Sequence, residues 1–302
     1  MAIRKLHDDE PDIDEKLVRA LVDDQFPQWS GLPLTLVDSN GTSNVLFRLG
    51  DERVVRLPRV RGSVPDLERE RRWMPFLAPR VPVPVPEPVA VGAPGRGFPW
   101  PWAVHRWLDG VNPTVGRLER PTALAQDLAA FVTALQRVDT AGAPESYRGR
   151  PLVERDADTR EVIGSLAGTI DTQTALAVWD AAVAAPRGDR PDVWLHADLQ
   201  PGNMLVADGR LSAVIDFGCM GLGDPAVDLI VAWYVLDAPE RAVYRAGLDL
   251  DDAAWARGRG WALTIAVNEL AYYRQSNRFM ADTAARVIEE VLTEHAAQGR
   301  CR

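Results

Sequence analysis

The chain has 302 residues, 46% of them hydrophobic, with a formal net charge of −9 and an isoelectric point near 5.1. This length suits a single two-lobed protein or two modest domains, and the acidic balance argues against a general binder of nucleic acid or anionic membranes. Two cysteines make no disulfide framework, the charged N-terminus lacks a signal peptide's apolar core, and no apolar run reaches membrane length, so we expect a cytoplasmic protein.

The first third of the chain is predicted to begin with a helix and continue as short strands. Helical spacing of apolar residues covers Asp12–Phe26. The next helical stretch is Ser63–Leu77, and Pro75 should kink or end it. The predicted strands between the two helices are Leu34–Val37, Val45–Leu49 and Arg53–Leu57.

A proline-rich connector separates these elements from a further strand. The run "VPVPVPEPV" begins at Val81, and its alternate prolines remove hydrogen-bond donors and favour extended chain. An SH3-type ligand would have the same composition, but a rigid connector into the next strand is the simpler interpretation. That strand is Trp102–Leu108, and Asp109-Gly110 ends it. We place a lobe boundary there, with residues 1–108 in one lobe and 109–302 in the other.

The remainder of the chain is rich in predicted helices. Asp224 has the features of an N-cap, because Pro225 follows it at the first helical position. The predicted helices are Leu124–Val138, Gln173–Val183, Pro225–Leu236, Ala253–Arg274 and Ala281–Ala297.

A tight hairpin interrupts these helices. Asp208-Gly209 is a two-residue turn signal between two apolar-rich runs, since a type I′ turn needs positive φ at both central positions. With this turn, Asn203 lies opposite Val214, and Asp216 lies about 7 Å further along the same edge. Two hard oxygen ligands at this separation suit Mg²⁺, which also uses water and substrate phosphates.

The loop before the hairpin contains a third polar residue, Asp198, whose spacing from Asn203 matches a known motif. His196-Ala197-Asp198 precedes Asn203 by the spacing H-x-D-x-x-x-x-N, and Asp216 opens an Asp-Phe-Gly. This order reproduces the protein-kinase catalytic loop, in which the first Asp accepts the proton of the attacking hydroxyl and the Asn and second Asp hold the metal. An ordinary hairpin with polar ends would explain one of these features but not their combination.

The whole run "HADLQPGNMLVADGRLSAVIDFGCMGLGDPAVD" (196–228) resembles the aminoglycoside phosphotransferase family, small-molecule kinases with a protein-kinase-like fold. The usual pattern is H-G-D-x-x-x-x-N, then I-D-[FW], then G-D-P-x-x-D. Ala197 departs from the usual Gly, a change that costs little unless the backbone there needs positive φ. The resemblance extends through Thr42–Pro58, the "RWLDG" around residue 110 and the helical C-terminal third.

The resemblance implies an α+β, protein-kinase-like two-lobed fold, with a small N-terminal antiparallel-sheet lobe and a larger, mainly helical C-terminal lobe. It implies transfer of the γ-phosphate of ATP or GTP to a hydroxyl of a small molecule. Asp198 would be the catalytic residue, and Asn203 and Asp216 would hold Mg²⁺. His196 and Asp228 would support the catalytic loop rather than react.

The nucleotide side needs a cation on the phosphates, and the strand lysine of kinases is missing. The chain has only two lysines, both near the N-terminus, so the cation must be an arginine. Arg56 lies at the family's position on a strand and can bind phosphate in bidentate fashion. Its carboxylate partner would be Glu70, which fits the family's E-x-x-x-L-x-x-L spacing better than the competing Glu68.

Four further residues complete the nucleotide site that the resemblance implies. Ser43, in "SNGTSN", holds the position of the short phosphate-covering loop, although the segment alone is only a turn. Adenine would lie against Val54 and bond to the backbone around Arg106 and Leu108. The same strand holds His105, which we interpret as a packing residue.

The acceptor is open at this stage. The net charge is −1 up to Gly110 and −8 beyond it, so a polycationic aminoglycoside would suit the C-terminal part, with Glu269 as one contact. A macrolide would suit an aromatic pocket, and a metabolite alcohol or a catalytically silent kinase-like binding protein are further alternatives. We expect a monomer, and we expect a role in antibiotic resistance only if the acceptor is an antibiotic, because the family also includes kinases of metabolites. The aromatic residues that would line a macrolide pocket are Trp233, Tyr234, Trp255, Trp261, Tyr272 and Tyr273.

Overall fold

The computed structural model of the chain describes residues 5, 10–39 and 41–300, with side chains up to Ala297. Most of the charged first ten residues, Asn40 and Cys301 lie outside this range. The described chain divides into two compact units. The N-terminal unit comprises the residues up to Asn112 with Met204–Ala207 and Ser212–Gly218, and the C-terminal unit comprises the rest. The predicted division after Leu108 stays a prediction.

The N-terminal unit is built on one five-stranded antiparallel sheet, as the fold class predicted. Its strand order is β1-β2-β3-β5-β4, and the third and fifth strands in chain order are neighbours because β4 takes the edge. β3 lies in the middle, with Arg56 opposite Leu46 of β2 and Ala103 of β5. The strands are β1 (Leu34–Leu36), β2 (Asn44–Leu49), β3 (Arg53–Pro58), β4 (Pro88–Gly92) and β5 (Trp102–Arg106).

One face of this sheet carries the core of the unit. Val55 and Leu57 of β3 are fully buried, and helix α1 (Glu15–Gln25) covers the same side through its apolar stripe. Because side chains alternate along a strand, Val54 and Arg56 lie on the opposite face. The sheet therefore presents Arg56 on the face that does not carry α1.

Helix α2 (Val64–Leu77) matches the predicted bounds to within one residue and contains Pro75 near its end. The helix continues past the proline to Leu77 and ends in a single 3₁₀ turn, Ala78–Arg80. A proline this close to the C-terminal end removes only one late hydrogen bond, so it does not stop the helix. The proline-rich connector bends at residues 81–83, so the prediction of extended chain is not confirmed there. Its last residues become the edge strand β4, which the sequence does not distinguish from the connector.

The C-terminal unit is mainly helical, as predicted. Helix α8 (Asp252–Tyr273) is buried along most of its length and packs against α5, α4 and α9. Its N-cap is Asp251, whose side chain accepts a hydrogen bond from Ala254 N–H. The other helices are α3 (Pro121–Gln136), α4 (Asp156–Ser165), α5 (Thr172–Ala184), α6 (Val231–Tyr234), α7 (Ala238–Ala246) and α9 (Arg278–Arg300).

Two helices, α4 and α7, were missed from the sequence, and one predicted helix is wrong in form. Instead of a helix over Pro225–Leu236, the chain makes a 3₁₀ turn at Val227–Ile230 and then only one turn, α6. Asp224 keeps a capping contact, because its carboxylate accepts a hydrogen bond from Ala226 N–H at 3.0 Å. The same carboxylate also forms a buried ion pair with Arg257, at 2.6 Å from Nε. This pairing draws Asp224 into the core.

The predicted hairpin is present. β7 (Met204–Ala207) pairs with β8 (Arg210–Val214), and Asp208 and Gly209 between them both have positive φ, 51° and 71°. A second two-stranded sheet joins β6 (Val193–Leu195), just before the catalytic loop, to β9 (Gly221–Gly223). Within the described residues, no helix is both long and apolar enough to cross a membrane.

Candidate active site

In the N-terminal unit, Arg56 is paired with a buried glutamate from α2. Arg56 Nη1 donates to Glu70 Oε2 at 2.7 Å, and the Glu70 side chain is only 2% exposed. The other carboxylate oxygen of Glu70 accepts a hydrogen bond from Phe217 N–H at 2.9 Å. Glu70 therefore links the central strand to the Asp-Phe-Gly segment, whereas Glu68 is exposed and bonds Arg71.

Burial and the charge of the partner have opposite effects on the pKa of each residue in this pair, Arg56 and Glu70. Burial raises the pKa of Glu70 to about 7, against the stabilising charge of Arg56. Burial alone would lower the pKa of Arg56, but the carboxylates of Glu70 and Asp216 outweigh it and raise that pKa. His105 lies 3.3 Å from Arg56, and burial, helped by this cation, holds its pKa well below the usual value. A neutral, packed His105 is consistent with the sequence interpretation.

Asp216 approaches the same arginine from the Asp-Phe-Gly segment. Its Oδ1 lies 3.9 Å from Arg56 Nη2, and its side chain is 38% exposed. The backbone of Asp216 has a φ of 63°, an uncommon conformation for a non-glycine residue that persists where surrounding contacts impose it. Asp66, in the first turn of α2, completes the group: burial and the charge of Asp216 raise its pKa to about 6.

The other residues predicted on the nucleotide side are also placed in this unit. Val54 and His105 are paired across β3 and β5, on the face that carries Arg56. Ser43 directly precedes β2, and its carbonyl accepts a hydrogen bond from Arg59 N–H. Its side chain is half-buried.

At the end of β5, the two predicted backbone positions differ in availability. Arg106 N–H donates to the carbonyl of Glu87 at 3.0 Å, so this donor is already used. Leu108 lies beyond the end of the strand and makes no hydrogen bond within the described part of the chain. Of the two residues, only Arg106 has its backbone N–H bonded within the described part of the chain.

In the C-terminal unit, Asp228 supports the catalytic loop as expected. One of its carboxylate oxygens accepts from His196 N–H at 2.9 Å and the other from Ala197 N–H at 2.7 Å. Asp228 is fully buried, and this burial raises its pKa to about 7 despite the two N–H donors. His196 is also fully buried, and its Nδ1 accepts from Asp198 N–H at 3.2 Å. Both residues act on the backbone of the loop.

The backbone at Ala197 meets the condition under which alanine is predicted to be costly in place of glycine. Its φ is 67°, in the left-handed region where a Cβ atom costs about 1–2 kcal/mol. The side chain is fully buried, so the methyl group is packed. The family's glycine suits this backbone without strain, and this chain tolerates alanine because Asp228 and the surrounding loop hold the conformation.

Asp198 is held by three donors from its own unit. Oδ1 accepts from Arg148 Nη1 at 2.6 Å and from Gln200 Nε2 at 3.2 Å, and Oδ2 accepts from Asn203 Nδ2 at 2.9 Å. Asn203 also donates to the carbonyl of Asp198 at 2.8 Å. The predicted catalytic residue and the predicted metal-binding amide are therefore in direct contact.

Glu269, predicted as a contact for a cationic acceptor, is engaged by neutral donors. It accepts from Gln200 at 2.7 Å and from the Tyr234 hydroxyl at 2.8 Å. Burial raises the pKa of Glu269 to about 7, and it also raises that of Tyr234 well above the usual range. Glu269 thus orients Gln200, which in turn contacts Asp198.

The predicted metal ligands fit a divalent cation by their chemistry. The amide nitrogen of Asn203 donates both of its hydrogen bonds to Asp198, so only the amide oxygen is left to act as a metal ligand. Asp216 offers a partly exposed carboxylate that no hydrogen bond occupies in the described residues. In those residues no three His, Cys, Asp or Glu side chains form a cluster that could hold a metal ion.

The structure therefore brings the predicted residues together in two groups. Arg56, Glu70 and Asp216 meet in the N-terminal unit, and Asp198 and Asn203 meet in the C-terminal unit. The convergence of Asn203 with Asp216 stays a prediction. Sequence reasoning missed Arg148, Asp66 and Gln200, because the first two lie far along the chain from their partners and the third occupies a variable position of the motif.

Comparison with protein families identifies the class. The model of the phosphotransferase enzyme family, APH, matches residues 35–261, which cover both the Arg56 and the Asp198 groups. The chain therefore belongs to this family of kinase-type small-molecule phosphotransferases. The match confirms the resemblance that the catalytic-loop motif indicated.

Solved structures with the same fold include aminoglycoside and macrolide phosphotransferases. The GDP complex of wild-type aminoglycoside 2'-phosphotransferase-IIIa has a TM-score of 0.75 at 19% identity, covering 94% of this chain and 100% of that one. The GDP and kanamycin complex of APH(2")-IIia has a TM-score of 0.72 at 20% identity, covering 92% and 98%.

The apoenzyme of macrolide 2'-phosphotransferase MphH from Brachybacterium faecium has a TM-score of 0.61 at 22% identity, covering 91% of this chain and 98% of that one. The structural similarity shows the kinase-like fold. At identities this low it does not show which acceptor the chain uses. A comparison with curated proteins found no match.

Proposed function

We propose that this protein transfers the γ-phosphoryl group of ATP or GTP to a hydroxyl group of a small molecule. The observation that carries the proposal is the charged group of the N-terminal unit, in which Arg56 lies between Glu70 and Asp216. A cation held by a buried carboxylate next to an Asp-Phe-Gly aspartate is the arrangement that kinases use on donor phosphates. The lysine of that arrangement is replaced here by arginine, which keeps the charge permanently.

The nucleotide would bind to the N-terminal unit. Its base would lie against Val54 and bond to the backbone at Leu108, with Arg106 contributing its carbonyl because its N–H is used. Arg56 would contact the phosphates, and Ser43 would donate its hydroxyl to a phosphate oxygen. These roles rest on the family pattern and on the shared face of β3 and β5.

Asn203 and Asp216 would hold Mg²⁺, which neutralises charge on the donor phosphates when it is bound. Asp198 would orient the acceptor hydroxyl and take its proton. The barrier would be lowered chiefly by positioning and by electrostatic stabilisation, because phosphoryl transfer needs little covalent help from the protein.

An aminoglycoside is the acceptor that we favour. The net charge of −8 beyond Gly110 suits a polycation, and kanamycin is bound in one of the similar structures. A macrolide acceptor would need an accessible aromatic pocket. Three of the aromatic residues predicted to line it, Trp233, Tyr234 and Trp261, are almost fully buried in the core instead. A metabolite alcohol stays as an alternative, as does a macrolide acceptor bound by other residues.

The test is a transfer assay with purified protein, Mg²⁺ and either ATP or GTP. The acceptors are aminoglycosides, macrolides and small metabolite alcohols, and mass spectrometry detects a phosphorylated product. We expect product on aminoglycosides, and we expect Asp198→Ala to reduce its rate by at least ~10³-fold. Asp139→Ala, which removes an exposed loop carboxylate, is the matched control and should keep the wild-type rate.

Each alternative has its own result in this assay. Product on macrolides or metabolite alcohols alone would replace the aminoglycoside, and Mg²⁺-dependent nucleotide binding without any product would favour a catalytically silent kinase-like protein. A role in antibiotic resistance requires a separate measurement: expression in a susceptible bacterium should raise the minimum inhibitory concentration of the accepted drug, and Asp198→Ala should abolish the increase.

A further inference from the structure

Arg148 is a charged residue in contact with Asp198 that the family motif does not include. It lies in the segment between α3 and α4, fifty positions before Asp198 in the chain. This segment is fixed to β9 and its neighbourhood: Ser146 N–H donates to the Leu222 carbonyl, and the Ser146 hydroxyl donates to the Cys219 carbonyl. The Arg148 N–H donates in turn to the Ser146 hydroxyl. The backbone at Arg148 is therefore held in place by hydrogen bonds.

The guanidinium group of Arg148 is directed at the catalytic loop. Nη1 donates both to Asp198 Oδ1, at 2.6 Å, and to the carbonyl of Ala197. The side chain of Arg148 is 14% exposed and that of Asp198 is 23% exposed. Burial alone would lower the pKa of Arg148, but the charge and hydrogen bond of Asp198, together with the charges of Cys219 and Glu269, outweigh it and raise that pKa. An ion pair with so little exposure restricts the carboxylate more strongly than a surface pair would.

The donors around Asp198 are distributed unequally between its two oxygens. A carboxylate oxygen offers about two acceptor positions. Oδ1 uses two, for Arg148 and for Gln200, whereas Oδ2 uses one, for Asn203. Among the described residues, the remaining position on the carboxylate is therefore on Oδ2.

Gln200 is itself held in the orientation that this arrangement needs. Its amide nitrogen donates to Glu269 as well as to Asp198, and Glu269 also accepts from the Tyr234 hydroxyl. The amide nitrogen of Gln200 thus faces both carboxylates, which excludes a flipped amide that would turn its oxygen toward them. Oδ1 is consequently enclosed from two sides.

We propose that Arg148 is a positioning residue that fixes the Asp198 carboxylate so that Oδ2 takes the proton of the acceptor hydroxyl. This inference rests on the proposed function and names a residue and an atom that the family motif does not specify. The proton moves from the hydroxyl to Oδ2 of Asp198, and the hydroxyl oxygen forms a bond to the γ-phosphorus. The bond from that phosphorus to the bridging oxygen breaks, and its electron pair leaves with the nucleoside diphosphate.

The kinetic test compares Arg148→Met, Arg148→Lys and the control Arg150→Met. Met removes the charge and the donors but keeps much of the apolar length, Lys restores the charge without the planar fork, and Arg150 is an exposed arginine of the same segment. We expect Arg148→Met to lower kcat by roughly 100-fold with nucleotide KM within about 3-fold, since misplacement of a reacting group costs about this much. Lys should recover about 10-fold, and Arg150→Met should stay within about 2-fold.

A double-mutant cycle distinguishes positioning of Asp198 from other roles. In an Asp198→Asn background, the Arg148→Met change should lower single-turnover rates by less than about 2-fold, because its target is already removed. If Arg148→Met lowered the rate by the same factor in the wild type and in Asp198→Asn, the proposal would be overturned. A raised nucleotide KM with unchanged kcat would also overturn it, because Arg148 would then be a phosphate ligand.

A structural measurement keeps this inference separate from the proposed function. A crystal structure of Arg148→Met should show the Asp198 carboxylate rotated or in more than one orientation, and a carboxylate unchanged from the wild type would overturn the positioning role. If Arg148→Met does not fold, as thermal unfolding would reveal, Arg148→Lys supplies both measurements. Wild-type protein that transfers phosphate to no acceptor would contradict the proposed function, whatever the variant's geometry.

Discussion

The two groups of predicted site residues are stabilised by different means. In the N-terminal unit, charged side chains hold one another: Arg56 pairs with the buried Glu70 and approaches Asp216. In the C-terminal unit, the catalytic loop is held mainly by N–H donors, since Asp228 accepts from two backbone amides. The Arg56 group thus depends on charge, whereas the backbone of the loop at His196 and Ala197 depends on two buried hydrogen bonds.

This difference predicts how each unit should respond to substitution. Removing one partner of a buried ion pair leaves the other charge unpaired, and a carboxylate can then regain a proton. Removing an acceptor from buried backbone amides leaves donors that cannot change their charge. Both losses are best compared at one pH, because the pKa values of Glu70 and Asp228 are each raised to about 7.

The largest effect is expected for Arg56→Met. Glu70 would keep only the bond from Phe217 N–H, so we expect the free energy of unfolding to fall by about 3 kcal/mol at neutral pH. We also expect kcat/KM for the nucleotide to fall by at least ~100-fold. Urea unfolding and steady-state kinetics measure the two losses. Arg53→Met, in the same strand but without a contact to Glu70, is the control, and an unchanged nucleotide KM in Arg56→Met would contradict the assignment.

The corresponding change in the C-terminal unit is Asp228→Asn. The amide has one oxygen for two N–H donors, so at least one charge-assisted bond is lost, and we expect a cost of about 2 kcal/mol in urea unfolding. Movement of the catalytic loop should lower kcat by about 100-fold. Asp139→Asn removes an exposed carboxylate that also accepts a loop N–H, and it should cost less than ~0.5 kcal/mol. Equal losses of unfolding free energy in the two variants would show that the buried hydrogen bonds of Asp228 contribute no more than an exposed one.

A smaller effect is expected from the pH dependence that Glu269 confers. The pKa of this carboxyl rises to about 7 on folding, from an ordinary value of 4.5, so folding takes up a proton between these pH values. Its contribution to stability is complete below pH 4.5 and is lost as the pH rises through 7. Relative to Glu269→Gln, wild-type unfolding free energy should therefore fall by on the order of 2 kcal/mol across this window.

Chemical denaturation at a series of pH values measures this difference. Glu161→Gln, at an exposed position of α4, should leave the pH slope of the wild type unchanged. A slope for Glu269→Gln that equals the wild-type slope would show that Glu269 binds no extra proton in the folded protein.

The smallest effect is expected at Ala197. Glycine there relieves about 1 kcal/mol of left-handed strain but removes a buried methyl group worth a similar amount, so Ala197→Gly should change stability by less than ~1 kcal/mol. Ala129→Gly, at a buried helical position of α3, should cost about 2 kcal/mol. Thermal or urea unfolding compares the pair. An equal cost at both positions would contradict the strain at Ala197.

Local pattern predicted the elements well where spacing or turn chemistry is strong. The turn at Asp208-Gly209 and the helix α8 were predicted within a residue or two, because positive φ in the turn and apolar spacing in the helix are local requirements. The segment Pro225–Leu236 was misjudged because its apolar residues are buried on all sides, and a buried 3₁₀ turn then looks like a helix. The end of α2 at Leu77 was also predicted, and Pro75 lies close to that end, where a proline costs little.

The sequence by itself determined the class of this protein and the order of its candidate site residues. The spacing of Asp198, Asn203 and Asp216 lies within one hairpin and its flanks, where chain geometry leaves few arrangements. Tertiary structure alone decided which distant groups meet these residues: Glu70 binds Phe217, and Arg148 binds Asp198 from fifty positions away. Such contacts depend on how anchored loops and helices pack, because a charged side chain is buried only where the fold brings its partner.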